Sequence, residues 1–519
     1  MSENDSALSN IRNVFVLMLE NRSFDHMLGF SGLSGTDPSG HSTSINGLTG
    51  SESNSYLNCP YPVTQPADYV MPVGPGHEFA DVVEQLCGQY ASYPASATYP
   101  QGAEYPPIDN SGFVADYAVS HTKGEGNAPG NFGEVMKCYQ NLPQGPQQLP
   151  VLYSLASNFA VCDNWHASMP GPTWPNRFFA IAASSGGLDD SPSNLQILDW
   201  ELNPWSGFQF AEGTLLDQLN ALPAGTGWRV YRGDELPLIG AVAGVHHADT
   251  YPYSQFAEDL QAADYPWAFT FIEPSYGDIV FNTYWGGTSQ HPVDNVINGE
   301  GLIKSTYEAI RNSPHWNNSL LIVTWDEHGG FYDHVAPPAA PEPGDPIIMS
   351  GKINRHGFNF DHFGVRVPAV VVSTYTPAQT IDHTLYDHSS ILATLQSLHG
   401  LGHLTGRDAK MENVLKLVML GSARTDAPTQ LPEPAIADLD ASAIVTAAAA
   451  GPADSIDAGN LPGFIYIALR FHLDLSLPEE HPLIIARVRA IQTRADAAQY
   501  LDEVRTQVRV ADAARMDVA

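Results

Sequence analysis

Residues 324–335 read Thr-Trp-Asp-Glu-His-Gly-Gly-Phe-Tyr-Asp-His-Val. The neighbouring acids Asp326 and Glu327 follow closely on an apolar run, Leu320-Leu321-Ile322-Val323. Such a run before a glycine turn reads as a buried parallel strand. In open α/β sheets, ligands gather outside the carboxyl ends of the strands. Two adjacent carboxylates at that edge repel each other unless positive charge lies between them, and a divalent metal is a common remedy. A solvated acidic loop would carry the same letters. The N-terminus repeats the design: Asn13-Val14-Phe15-Val16-Leu17-Met18-Leu19 runs into Glu20-Asn21-Arg22-Ser23-Phe24-Asp25-His26. Two distant strands that each end in oxygen ligands can share one metal. Between them, Thr173 lies in a Pro/Gly-rich turn ahead of the helical run Phe178-Phe179-Ala180-Ile181-Ala182-Ala183. A hydroxyl at a helix start is either a capping group or a nucleophile aimed at an anion held by the helix N-terminus. Both readings stay open on these residues alone.

The elements that must position these groups alternate along the chain. Strands are predicted over 13–19, 228–231, 268–272, 320–323 and 368–372, and helices over 80–90, 149–158, 214–222, 302–312 and 389–399. That alternation argues for an α/β fold with a mostly parallel sheet covered on both faces. Residues 31–75 and 91–112 are rich in Ser, Gly, Asn and Pro, and loops of that length are usually functional.

Three blocks carry a resemblance. They are Glu20 to His26, Thr173-Trp174-Pro175-Asn176-Arg177, and Asp326-Glu327-His328-Gly329-Gly330-Phe331-Tyr332-Asp333-His334-Val335. They resemble, in order, the hallmark blocks of the phosphoesterase family of non-specific phospholipases C and respiratory-burst-inhibiting acid phosphatases, within the alkaline phosphatase superfamily. The resemblance spans residues 11–400. It implies an alkaline-phosphatase-like core, one divalent metal held among Glu20, Asn21, Thr173, Asp326 and Glu327, and hydrolysis through a phospho-threonine on Thr173. No organic cofactor is implied. All five metal candidates offer oxygen, which suits Mg²⁺, Ca²⁺ or Mn²⁺, while Zn²⁺ also accepts carboxylates. His77, in Gly-Pro-Gly-His-Glu-Phe, and His291, in Ser-Gln-His-Pro, are similar to phosphate-contacting histidines of the family. The pair His246-His247 is similar to the double histidine of its acid phosphatase branch. The metal block also contains His328 and His334, which are expected behind the ligands. The implied substrates are phosphatidylcholine-like lipids, or alternatively a range of phosphomonoesters. A metal- or lipid-binding protein without activity is the competing class. The aromatics Trp165, Trp174, Tyr276, Trp285 and Trp325 could face a choline headgroup or fill the core.

The 519 residues suffice for one large α/β domain with insertions, or for two domains. Asp and Glu outnumber Lys and Arg by 57 to 23, for a net charge of −34. Such a surface repels nucleic acid and anionic bilayers, so a phosphate ester needs strong local positive charge, and membrane contact would be transient. No apolar run reaches the roughly 18 residues of a spanning helix. The polar start Met1-Ser2-Glu3-Asn4-Asp5 lacks the features of a signal peptide. The chain is therefore expected to stay in the cytoplasm, to leave by a route without a cleaved leader, or to act outside after losing one. Cys59, Cys87, Cys138 and Cys162 have no Cys-x-x-Cys spacing, and free thiols are the expectation for a chain without a leader. The division expected is a catalytic domain over 1–421, an Ala/Pro-rich linker over 422–462 and a helical C-terminal tail over 463–519. That tail holds Arg470, Arg487, Arg489, Arg494, Arg505, Arg509 and Arg515, as a basic face on an acidic body or a surface for a partner or a lipid headgroup.

Overall fold

Both strands that carry the acids lie side by side at the centre of the molecule. In the computed structural model, which describes residues 7–94, 103–123, 127–193, 207–222, 227–347, 353–437, 450–457 and 459–516, β1 (Asn13–Leu19) has all seven residues buried. Two parallel neighbours cover its edges. The other strands are β2 (Ser34–Thr36), β3 (Ser42–Ser44), β4 (Ser53–Tyr56), β5 (Cys59–Pro62), β6 (Ala160–Cys162), β7 (Gly227–Arg232), β8 (Thr250–Pro252), β9 (Trp267–Glu273), β10 (Ser319–Trp325), β11 (Ala369–Val372) and β12 (Thr380–Asp382). Ten of them form one sheet in the order β3-β2-β12-β6-β11-β10-β1-β9-β7-β8. β1 pairs with β10 in parallel from Asn13↔Ser319 to Leu19↔Trp325, and with β9 from Val14↔Phe269. β7 and β8 extend the parallel block. Continuous apolar runs such as Val14-Phe15-Val16-Leu17 are what strands buried on both faces require.

The sheet is mixed in two places, at its edge pair β2–β3 and at one strand the sequence does not announce. β11 runs antiparallel to both β10 and β6. The long excursion after β1 is also more ordered than its composition predicts: β2 and β3 extend the sheet edge, and β4 and β5 make a separate hairpin.

The helices that matter for the site are α1 (Phe24–Leu28), α2 (Phe79–Cys87), α3 (Pro150–Asn158), α4 (Thr173–Ala182), α5 (Val296–Arg311), α6 (Ser389–His399), α7 (Leu461–Asp474), α8 (His481–Val488) and α9 (Arg494–Met516). The C-terminal helices pack against the body of the molecule. Leu461 to Leu473 are all buried, and α7 shares the central apolar core with β1, β9 and β10. A Cβ on Gly463 would sit 2.0 Å from the Trp174 ring, so α7 lies directly on α4. Of the expected linker, 438–449 and 458 lie outside the described residues, while Ala427 and Leu431 are buried in the same core. All four cysteines are free thiols. No helix among the described residues is long and apolar enough to cross a membrane.

Candidate active site

The site is assembled where β1 and β10 end. Asp326 donates its backbone N–H to the Leu19 carbonyl, continuing the ladder one step beyond the strands. Asn21 turns into the left-handed region at φ 58° and points its own N–H back to Asp326 Oδ1 at 3.0 Å. The turn that follows Glu327 depends on its glycines. Gly329 has φ +65° and packs so closely on Asn21 that a Cβ would meet its carbonyl oxygen at 2.2 Å. Gly330 has φ +75°, and its Cβ would meet the Gly76 carbonyl at 2.5 Å. Only glycine fits such close approaches at positive φ. Segments 20–22, 76–78 and 326–330 are thereby pressed together.

All four acid and amide groups at this junction are fully buried. Asp326 Oδ1 also accepts the Glu327 N–H at 2.7 Å, and Oδ2 accepts Arg177 Nε at 2.9 Å. Glu327 Oε1 lies 2.9 Å from His77 Nδ1, which donates to it, and Oε2 accepts the Gly329 N–H. Glu20 differs. Its N–H donates to Ser289 O, yet neither carboxylate oxygen finds a partner of good geometry, and the same holds for Asn21 Oδ1. Buried polar atoms left without partners are rare and call for a cause.

Thr173 opens α4, whose Arg177 reaches the same junction. Pro172, not Thr173, occupies the N-cap of α4, and the Thr173 hydroxyl is buried with no partner, so it caps nothing. Asn176 fixes the turn by donating to the Gly171 and Pro172 carbonyls and accepting the Met169 N–H. One helical turn after Thr173, on the same face, Arg177 bonds Asp326 and the carbonyls of Met18 and Leu19 and leaves its NH1 unpaired. Sequence reasoning assigned Arg177 no role, although its spacing of four from Thr173 was the available signal.

Of the four candidate histidines, two converge. His77 and His291 have ring centroids 6.2 Å apart. His291 stacks flat on Tyr284 at 3.4 Å, and its Nδ1 has no partner. Arg22 holds the loop by donating to Gln290 O, with His291 O at 3.5 Å. The other two histidines are not brought to this junction. His246 is exposed and pairs with Asp474 at 3.0 Å, and His247 pairs with Asp512 at 3.1 Å. Both sit in a tight turn before the edge strand β8 and face the C-terminal helices. His328 braces the site from behind, with Nε2 2.7 Å from Gln85 Oε1. Trp165, Trp174, Tyr276 and Trp325 are fully or almost fully buried core residues.

A second cluster lies one turn further along the same two segments. Asp25, Asp333 and His334 bring ligand atoms within 4.8 Å of one another. Here Arg366 fills the centre, with Nε on Asp333 Oδ1 at 2.9 Å and NH2 on Asp25 Oδ1 at 3.1 Å. His334 Nδ1 lies 2.7 Å from Asp25 Oδ2.

Charge at the first cluster is unbalanced. Burial, reinforced by Asp326, pushes the Glu20 carboxyl up to about 8. Burial also raises Asp326 to about 6, with Arg177 opposing and Glu327 adding to the rise. Burial acts the same way on Glu327, but His77 and His328 outweigh it and hold that carboxyl at about 2. Three buried carboxyls thus face one guanidinium, with the oxygens of Glu20, Asn21 and Thr173 left over. An all-oxygen set that crowds buried carboxyls fits a hard divalent cation, whose charge would favour their ionised forms.

The sequence matches the Phosphoesterase family over residues 11–402. The chain belongs to that family, and it is a phosphoric ester hydrolase. It is 36% identical over 451 residues to non-specific phospholipase C6 of Arabidopsis thaliana, covering 82% of this chain and 75% of that protein. It is 25% identical over 441 residues to phospholipase C A of Mycobacterium tuberculosis (strain ATCC 25618 / H37Rv), covering 76% and 74%. Among solved structures it is similar to a phosphonate monoester hydrolase of Agrobacterium radiobacter, at 13% identity and a TM-score of 0.29 over 52% of this chain and 72% of that one. A second is an alkaline phosphatase superfamily protein from Vibrio parahaemolyticus, at 15% identity and a TM-score of 0.28 over 50% and 63%.

Proposed function

We propose that the protein is a metal-dependent phospholipase C that cleaves phosphatidylcholine-like lipids to diacylglycerol and a phosphorylated headgroup. The observation that carries this reading is the Thr173 hydroxyl, buried and unpartnered at the start of a ten-residue helix. The relatives named as phospholipases C support the diester substrate. Glu20, Asn21, Thr173, Asp326 and Glu327 would hold the divalent ion, which supplies positive charge favouring the ionised Thr173 oxygen and offsetting the charge of the phosphoryl group.

The residues of the chain do the rest. The α4 N-terminus directs its partial positive charge at the phosphate. Thr173 Oγ attacks phosphorus, the bond to the glycerol oxygen breaks, and diacylglycerol leaves with a proton. Water then attacks the phospho-threonine, restoring the hydroxyl and releasing the phosphorylated headgroup. His291, whose pKa is held well below the usual range by burial, is neutral at pH 7 and offers Nδ1 to a phosphoryl oxygen. His77, oriented by Glu327, serves phosphate binding and protonation of the leaving group. Arg177 holds Asp326 in place.

Metal analysis with turnover of p-nitrophenylphosphorylcholine and p-nitrophenyl phosphate tests the reading. The diester is expected to turn over faster, with the phosphorylcholine group trapped on Thr173 after acid quench. Preference for the monoester would make the protein an acid phosphatase. A metal-loaded protein inert toward both would make it a binding protein on this fold.

A further inference from the structure

The C-terminal segment places a buried amide beside the site. Asn460, at the start of α7, is buried and bonds at both ends. Its Oδ1 accepts the Trp174 Nε1–H at 3.0 Å, and its Nδ2 donates to the Tyr284 hydroxyl at 3.1 Å. Trp174 is the residue after the proposed nucleophile. Tyr284 is the ring stacked on His291, with 5° between the planes. One amide therefore ties the wall beside Thr173 to the wall beside His291, two groups that arrive 118 positions apart in the sequence.

The surroundings make this tie directional. Tyr284 sits at φ 51°, a backbone conformation that an aromatic residue holds only when its surroundings impose it. The Asn460 bond to its hydroxyl is one such constraint. Gly463 lies against the Trp174 ring with no room for a Cβ, and Phe464 meets Trp174 and Tyr276 edge-on, so Asn460 cannot drift relative to the indole. Tyr276 in turn lies 5.5 Å under the Arg177 guanidinium.

We infer that Asn460 is a positioning residue for hydrolysis, setting the distance between the Thr173 and His291 sides of the site by bracketing Trp174 and Tyr284. This rests on the reading of Thr173 and His291 given above. Small displacements of groups that must meet in a transition state cost rate by about a hundredfold. Asn460→Ala in the full chain is therefore expected to lower kcat on p-nitrophenylphosphorylcholine by about that factor and to leave KM within about twofold. Metal content and the thermal midpoint should change little by comparison. Tyr284→Phe keeps the ring on His291 and loses the hydroxyl, so it should reduce kcat in the same direction by less, and the double variant should be no worse than Asn460→Ala. Asn460→Asp keeps an acceptor for both partners and should recover part of the loss. The His291 ring protons, shifted upfield by the stacked tyrosine, should move downfield in Asn460→Ala. Unchanged kcat in a folded Asn460→Ala, or a fall that only tracks lost fold or lost metal, would overturn the inference. If that variant does not fold, full kcat in Tyr284→Phe overturns it. A wild-type protein inactive on both esters removes the proposed function and this inference together, whereas active wild type with fully active variants removes this inference alone.

Discussion

Two carboxylate clusters are built from the same two pieces of chain, and they have opposite fates. The exit of β1 supplies Glu20 and Asn21 to one and Asp25 to the other. The exit of β10 supplies Asp326 and Glu327 to one and Asp333 and His334 to the other. The second cluster has the ligand spacing of a metal site, yet Arg366 satisfies it from within. The first has an arginine too, but Arg177 engages Asp326 and leaves the Glu20 oxygens bare. A buried group of acids is thus defined less by its geometry than by the source of its positive charge. Where the guanidinium meets every acid, as Arg366 meets Asp25 and Asp333, the cluster is a strut. Where it leaves one without a partner, as Arg177 leaves Glu20, the cluster is the proposed place for a cation.

The sharpest way to test that contrast is to remove Thr173, the proposed nucleophile beside the open cluster. Thr173→Ala should lower turnover on the order of a thousandfold or more, with little change in the thermal midpoint, because the hydroxyl bonds to nothing in the protein. Substantial residual activity would end the nucleophile assignment. Next in size is the strut. Arg366→Leu leaves Asp25 and Asp333 buried without a cation and should cost about 3–5 kcal/mol in urea denaturation. A variant as stable as wild type would show that the guanidinium does not balance that cluster.

Neutralising one acid at a time should give opposite signs in the two places. Glu20→Gln should lower bound metal measured by mass spectrometry and raise the stability of the metal-free protein, since it removes a buried, unpaired carboxyl. Asp333→Asn should leave metal content unchanged and lower stability. Equal metal loss in both would erase the distinction drawn here.

The smallest effect concerns Glu300, a buried acid outside both clusters. Glu300 accepts only the Val151 and Leu152 N–H groups at the start of α3, and burial raises its carboxyl to about 8 from an ordinary 4.5. A group raised on folding contributes its stability in full below its unfolded value and loses it as pH climbs through the folded one. Its contribution is therefore whole below pH 4.5 and spent above about 8. Glu300→Gln should flatten the decline in thermal midpoint across that window. An unaltered slope would show that the helix N-terminus keeps Glu300 ionised.

Much of this was legible in the letters. β1 and β10 announce themselves as unbroken apolar runs because both faces are covered, and an acid standing at the end of each marks the site edge. The Gly329-Gly330 turn was visible, though not what it packs against. Other features were hidden for physical reasons. The reversal of β11 leaves no trace in Val370-Val371-Val372, since a central strand is apolar in either direction. Thr173 reads as a cap until Pro172 is seen to hold that position. His246 and His247 match a motif by type, but their partners Asp474 and Asp512 come from helices whose docking no local period reveals. The docking of α7 was equally hidden: local composition says nothing of a glycine at 463 pressed on a tryptophan at 174.

The pairing of β1 has a consequence for how the protein is made. Its two neighbours in the sheet begin at Trp267 and Ser319. At about 5–20 residues per second on the ribosome, the central strand is synthesised roughly 15–60 seconds before β10 exists to cover it. During that interval the apolar run over residues 14–19 has no β10 to cover one of its edges. Glu20 cannot meet Asp326 until most of the polypeptide has emerged, so the junction where the site is proposed is among the later parts of the molecule to be assembled.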